Sequence, residues 1–172
     1  MSEFDEEWAR VMAEAEQRAR AQGRGDVMDY LSLRQTNDFA RTAGADWLFQ
    51  TFIEQAGRAN RNGASIRIER QSAHRFSVGN STMVGTLLTF QVGIRKLLVE
   101  AGWPRSPRDG IVRGGGLACA RIRHFGLRNS DDELLLVYAE NNRPRWLVME
   151  KSGARTILLE ERISAHLARL LG

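Results

Sequence analysis

The hydrophobic pattern of this chain changes period near residue 65, and no other feature limits the accessible folds as strongly. Before that point apolar residues recur at three- and four-residue intervals, the spacing of one helix face. After it they alternate, the spacing of a half-buried strand. In the first stretch Phe4, Trp8, Val11 or Met12, Ala15 and Ala19 line one face, with Ser2 placed to cap the helix and Gly23 to Gly25 to end it. Asp26 opens a second helical segment that carries Val27, Tyr30, Leu31 and Arg34. A third runs from about Asn37 to Ala59, and Leu48, Phe49, Phe52 and Ile53 spread its apolar surface over more than one face, so this helix is expected to be the most buried. Gly44 leaves open whether the second and third segments are one helix. Asn60-Arg61-Asn62-Gly63 then stops it.

Beyond residue 65, Ile66 and Ile68 alternate with Arg67 and Glu69, and a longer alternating run spans Val84 to Val92. Val92-Gly93 reads as a hairpin turn into Ile94 to Ala101. Further strands are expected at 117–125, 133–140, 145–151 and 155–159, the last three forming a meander, and a short helix at 161–171 closes the chain. Helices segregated from strands argue α+β: N-terminal helices packed on a mostly antiparallel sheet of about seven or eight short strands. We read residues 1–172 as one such domain, with a helical part at 1–63, the sheet at 64–160 and the final helix at 161–172. A domain of this size can bury roughly 70% of its unfolded surface and needs no metal or disulfide to fold. Its single cysteine, Cys119, allows no intrachain disulfide.

The start of the chain is acidic where a signal peptide is basic and then apolar, and the longest apolar run is Leu134 to Ala139. A cytoplasmic protein with no membrane segment or membrane partner is therefore expected.

Charge is divided unevenly. The formal net charge of +4 combines an acidic first helix with eleven basic groups between residues 64 and 130, opposed there only by Glu69, Glu100 and Asp109, a local net of +8. Such an excess attracts anions. The same region holds the stretch from Gly102 to Gly116, with two of the three prolines, five of the sixteen glycines, three arginines and a tryptophan. A connection this long is uncommon in a compact domain and is often functional. Trp103 offers a face for stacking, Arg105, Arg108 and Arg113 offer charge-assisted contacts, and Arg121 and Arg123 on the next strand extend the basic surface. These six residues are the candidate anion-binding set. The opposing interpretation is a loop that wraps a sheet edge, with Trp103 packed as a plug.

Motifs for other chemistry are missing. There is no phosphate loop, no H-E-x-x-H and no Gly-x-Ser-x-Gly, so neither a cofactor nor a metal is expected. His124 falls on the small, apolar strand face and reads as a hydrogen-bonded core histidine. His166 reads as a surface residue of the last helix. His74 follows an expected turn at Gln71-Ser72, where a Glu69–His74 pair across a hairpin could serve acid–base chemistry. Cys119 shares a strand face with Arg121 and Arg123, which would lower its pKa if exposed, but a buried structural thiol is the commoner outcome.

The sequence therefore points to a non-catalytic binding module for nucleic acid or another phosphorylated polyanion. Two alternatives stand beside it. One is a protein-interaction or self-assembling scaffold that uses the acidic N-terminal helix. The other is an enzyme built on Glu69, His74 and Glu100.

Overall fold

The computed structural model describes residues 3–21, 23 and 25–172. The cap expected from Ser2 lies outside these residues. Helix α1 (Glu3–Ala21) is followed by α2 (Gly25–Arg61), a continuous helix of 37 residues, about 55 Å long. The two segments whose continuity the sequence left open are thus one helix, and Gly44 sits in its middle for a packing reason. A Cβ there would fall 2.7 Å from the Leu136 methyls, so only glycine lets the helix lie this close to the sheet. The same contact is closed by Trp146, whose indole N–H donates to the Gly44 carbonyl at 2.8 Å. At its far end, the Asn60 side chain bonds both the N–H and the C=O of Ile66, which fastens the helix terminus to the first strand.

Seven strands follow: β1 (Arg67–Val78), β2 (Ser81–Val92), β3 (Arg95–Trp103), β4 (Ala118–His124), β5 (Asp132–Tyr138), β6 (Pro144–Met149) and β7 (Arg155–Ile157). They pair in chain order as one antiparallel meander. Helix α3 (Glu160–Leu171) completes the α+β architecture.

Alternation along the strands gives the sheet two unlike faces. One face carries Leu88, Phe90, Leu97, Val99, Ile122, Leu134 and Val148 against Leu48, Phe49 and Phe52 of α2 and Ile163, Leu167 and Leu170 of α3, forming the main core. The other face has a smaller cluster of Phe76, Met83, Cys119 and Leu135, roofed in part by Val112 from the loop between β3 and β4. The rest of that second face is open.

Two expectations need correction. Gln71-Ser72 is no turn: β1 continues to Val78 through a register shift between Gln71 and His74, with Ala73 at a left-handed φ of 54°, and the chain reverses at Gly79-Asn80 instead. A bulge of this kind adds a residue without ending the strand, so local composition mimics a turn. His166 is buried, at 4% exposure, because α3 lies with that residue against β4 and β5. The acidic α1 takes α2 as its packing partner, through the Trp8 indole donating to Asp38 at 2.8 Å and Arg34 stacked 4.5 Å from the Trp8 ring.

Candidate functional site

The open face is built around a buried carboxylate. Glu100 on β3 is 1% exposed, although it lies on the face that the helices leave uncovered. Three cationic or protonatable side chains from two other strands surround it. His74 Nε2 is 2.7 Å from Oε2, Arg123 Nη2 is 3.3 Å from Oε1, and Arg121 Nε approaches Oε1 at 3.5 Å. His74 belongs to β1 and must cross β2 to reach β3. It can do so because its cross-strand partner is Gly85, itself paired with Gly102. A Cβ on Gly85 would strike the Ala101 carbonyl oxygen, so no side chain can stand in that path. Phe76 supports the group from below, with the His74 ring stacked on it at 5.8 Å and the Arg121 guanidinium 5.4 Å from its centroid.

This cluster is not balanced. Arg121 also donates to the Ser77 carbonyl, yet the buried Nε atoms of both Arg121 and Arg123 have no hydrogen-bond acceptor. Beside it opens a pocket of about 340 Å³, lined by Arg113, Arg121, Arg155 and Glu133 above a floor that includes Cys119, Leu135 and Met149. Arg113 comes from the β3–β4 loop and lies against Gly79, and Arg155 comes from β7 and lies against Gly114. Three arginines therefore line the pocket and Arg123 stands beside Glu100, so pocket and cluster together set four arginines against Glu100 and Glu133, an excess of two positive charges. Burial pushes the Cys119 thiol up to about 11 despite the nearby Arg121, so it is a protonated floor residue and no nucleophile at neutral pH.

The six candidate anion-binding residues divide across the molecule. Arg113, Arg121 and Arg123 meet on the open face. Trp103 points the other way, into the main core, and its ring is covered by the Arg105 guanidinium at 3.8 Å. Arg105 is itself buried and donates from Nε and Nη2 to the Val84 carbonyl. Arg108 is exposed on a short 3-10 turn (Pro107–Asp109) away from the pocket lining. Of the acid–base trio, His74 and Glu100 come together, whereas Glu69 is exposed and sits beside Arg67 at 3.4 Å. Arg155 escaped sequence reasoning, since its place depends on β7 pairing with β6 opposite Met149.

A second polar chain lies between the sheet and α3. Asp132 accepts two hydrogen bonds from Arg162 (2.7 and 2.8 Å) and one from His166 (2.7 Å), and His166 Nδ1 is 2.8 Å from His124 Nε2. An ionised Asp132 can only accept, so His166 donates from Nε2, its Nδ1 accepts, and His124 donates to it. Arg162 also binds Glu150, which accepts from the Thr156 hydroxyl. Burial, then the neighbouring His166 and Arg169, push His124 down to about 4, against a weaker upward pull from Asp131 and Asp132. Burial would raise the Asp132 carboxyl, but the bonds from His166 and Arg162 outweigh it and hold the group well below the usual carboxylate range. Within this group each donor meets an acceptor.

Among the described residues there is no cluster of His, Cys, Asp and Glu able to hold a metal ion, and no helix long and apolar enough to cross a membrane. In comparisons with known proteins, no family model, no curated protein and no solved structure matches this chain.

Proposed function

We propose that this protein is a non-catalytic binding module that holds a phosphorylated partner, such as a single-stranded nucleic acid, on the open face of its sheet. The observation that carries the reading is the convergence of Arg113, Arg121 and Arg155 on one pocket with only Glu133 in its lining to oppose them, beside the Glu100 cluster that holds Arg123. Guanidinium groups bind phosphate in forked geometry, which suits the three arginines of the lining. The apolar floor would take the uncharged part of the ligand.

Anisotropy titrations with short labelled single-stranded DNA and RNA, repeated across salt, test this directly. Each phosphate neutralised should contribute about 0.7 to the slope of log K against log salt. The Arg113→Ala/Arg121→Ala/Arg155→Ala variant should flatten that slope. Absence of binding at low salt, or an unchanged slope in the variant, would sink the nucleic-acid reading.

The His74–Glu100 contact of 2.7 Å favours one second reading, a hydrolytic enzyme with His74 as general base beside phosphate-binding arginines. Incubating the same RNA with wild-type protein and with His74→Ala separates the two. Cleavage that the substitution abolishes would establish the enzyme, and intact RNA would retire it.

A further inference from the structure

We propose that the end of the sheet bearing the β2–β3 and β4–β5 turns is a docking surface for an anionic lipid membrane. It is separate from the arginine pocket and does not rest on that reading. Strands β3 and β4 are antiparallel neighbours, with Leu97 opposite His124 and the Phe125 N–H bonded to the Lys96 carbonyl, so their outer turns project side by side from the same end of the sheet. At these tips stand Ile94, 93% exposed, Phe125, 73% exposed, and Leu127, 54% exposed. Ile94 is the second residue of a two-residue hairpin turn whose first residue, Gly93, supplies the left-handed φ of 59°. Small polar residues ordinarily fill that second place. A β-branched apolar side chain there makes no packing contribution to the fold, and its neighbours in the adjacent turn repeat the pattern around Gly126.

The surroundings specify the partner. Arg95 and Lys96 follow Ile94 directly, and Arg128 follows Leu127, all exposed. Both long-range helix termini deliver more positive charge to this end. Arg61 closes α2, which is fastened to the start of β1, and Arg169 lies in the last turn of α3, whose terminal Gly172 rests against Arg95. The acidic groups nearby are engaged: Glu69 by Arg67, Asp131 by the His124 N–H, and Asp132 by Arg162 and His166. Apolar tips ringed by basic groups match an interface of acyl chains beneath anionic headgroups. A nucleic acid would satisfy the charges but would leave Ile94 and Leu127, which have no ring to stack on a base, without a contact. Such peripheral attachment needs no spanning helix, and it departs from the sequence expectation of no membrane partner, which rested on the lack of a long apolar run.

Co-sedimentation of the full chain with phosphatidylcholine vesicles, with and without phosphatidylserine, tests the proposal. The wild-type protein should partition to the phosphatidylserine vesicles and be released by salt. Ile94→Glu/Phe125→Glu should weaken that partitioning by at least about tenfold, since it removes both apolar anchors and adds like charge. Lys96→Glu/Arg128→Glu should weaken it less and reduce its salt dependence. Ile111→Glu is the control, an exposed apolar residue in the β3–β4 loop at the opposite end, and should change nothing. All these positions are exposed, and equal melting temperatures would show that the variants fold alike. The Arg113/Arg121/Arg155 variant should bind vesicles normally, which keeps this outcome distinct from that of the pocket. Failure of the wild-type chain to bind phosphatidylserine vesicles would overturn the proposal. So would undiminished binding by Ile94→Glu/Phe125→Glu, or an equal loss with Ile111→Glu. Loss of RNA binding in the tip variant, with vesicles ignored by the wild type, would assign the tips to nucleic acid instead.

Discussion

Two polar clusters in this protein use the same residue types to opposite ends. In the chain from His124 through His166 and Asp132 to Arg162 and Glu150, each donor meets an acceptor, and the group ties α3 to the sheet. Around Glu100, two arginines and a histidine share one carboxylate, and two buried guanidinium nitrogens lack an acceptor. A balanced network completes itself within the fold. An unbalanced one is stabilised further by whatever anion arrives, so charge bookkeeping separates a structural cluster from a candidate binding site where residue type cannot.

The difference can be broken at several points. Glu100→Ala should have the largest effect, destabilising the protein by about 3 kcal/mol because it leaves Arg121 and Arg123 without their counter-charge. Denaturant unfolding measures it, and added phosphate should restore part of the loss by binding the folded form. A variant as stable as wild type would mean that the carboxylate is not the counter-ion of these arginines. Asp132→Asn should cost about 2 kcal/mol, since it takes an ionic acceptor from both Arg162 and His166, and phosphate should not rescue it. Rescue of both variants, or of neither, would erase the contrast between the clusters.

The pH dependence is a subtler test of the balanced cluster. His124 titrates near 6.5 when unfolded and near 4 when folded, so between those values the unfolded chain binds more protons. Stability should therefore fall as pH drops from about 6.5 towards 4, and His124→Gln should flatten that interval. Asp132 adds a separate loss at lower pH, below the ordinary carboxylate range, where the unfolded chain takes up a proton that the folded carboxylate does not. A wild-type melting temperature constant from pH 7 to 4 would contradict the burial of this histidine. The smallest expected effect concerns Cys119, whose thiol at about 11 should react with a thiol-specific disulfide reagent only after denaturation. Rapid labelling of the native protein would show the pocket floor to be open and the thiol activated.

Much of the fold was legible because it follows local rules. The shift from helical to alternating spacing separates α2 from β1, and the alternation Ala118, Ala120, Ile122, His124 against Cys119, Arg121, Arg123 assigns β4 its two faces. The open-face site was legible only in part. Arg121 and Arg123 could be paired by their spacing, but nothing local says that Trp103 and Arg105 turn towards the core while Arg113 turns towards the pocket. His74 was displaced from its expected turn by one bulge at Ala73, an insertion that reverses which face later residues occupy.

By itself the sequence determined the succession of elements, the apolar and polar face of each, and the region where positive charge accumulates. These depend on periodicity and composition within a dozen residues. Only the tertiary structure decided which charges meet. Glu100 found His74 across the intervening strand β2, Arg155 reached the β3–β4 loop from the far side of the meander, and His166 joined His124 across the docking of α3. Those distances follow from strand order, register and helix placement, and they are set by packing of the whole chain rather than by any segment of it.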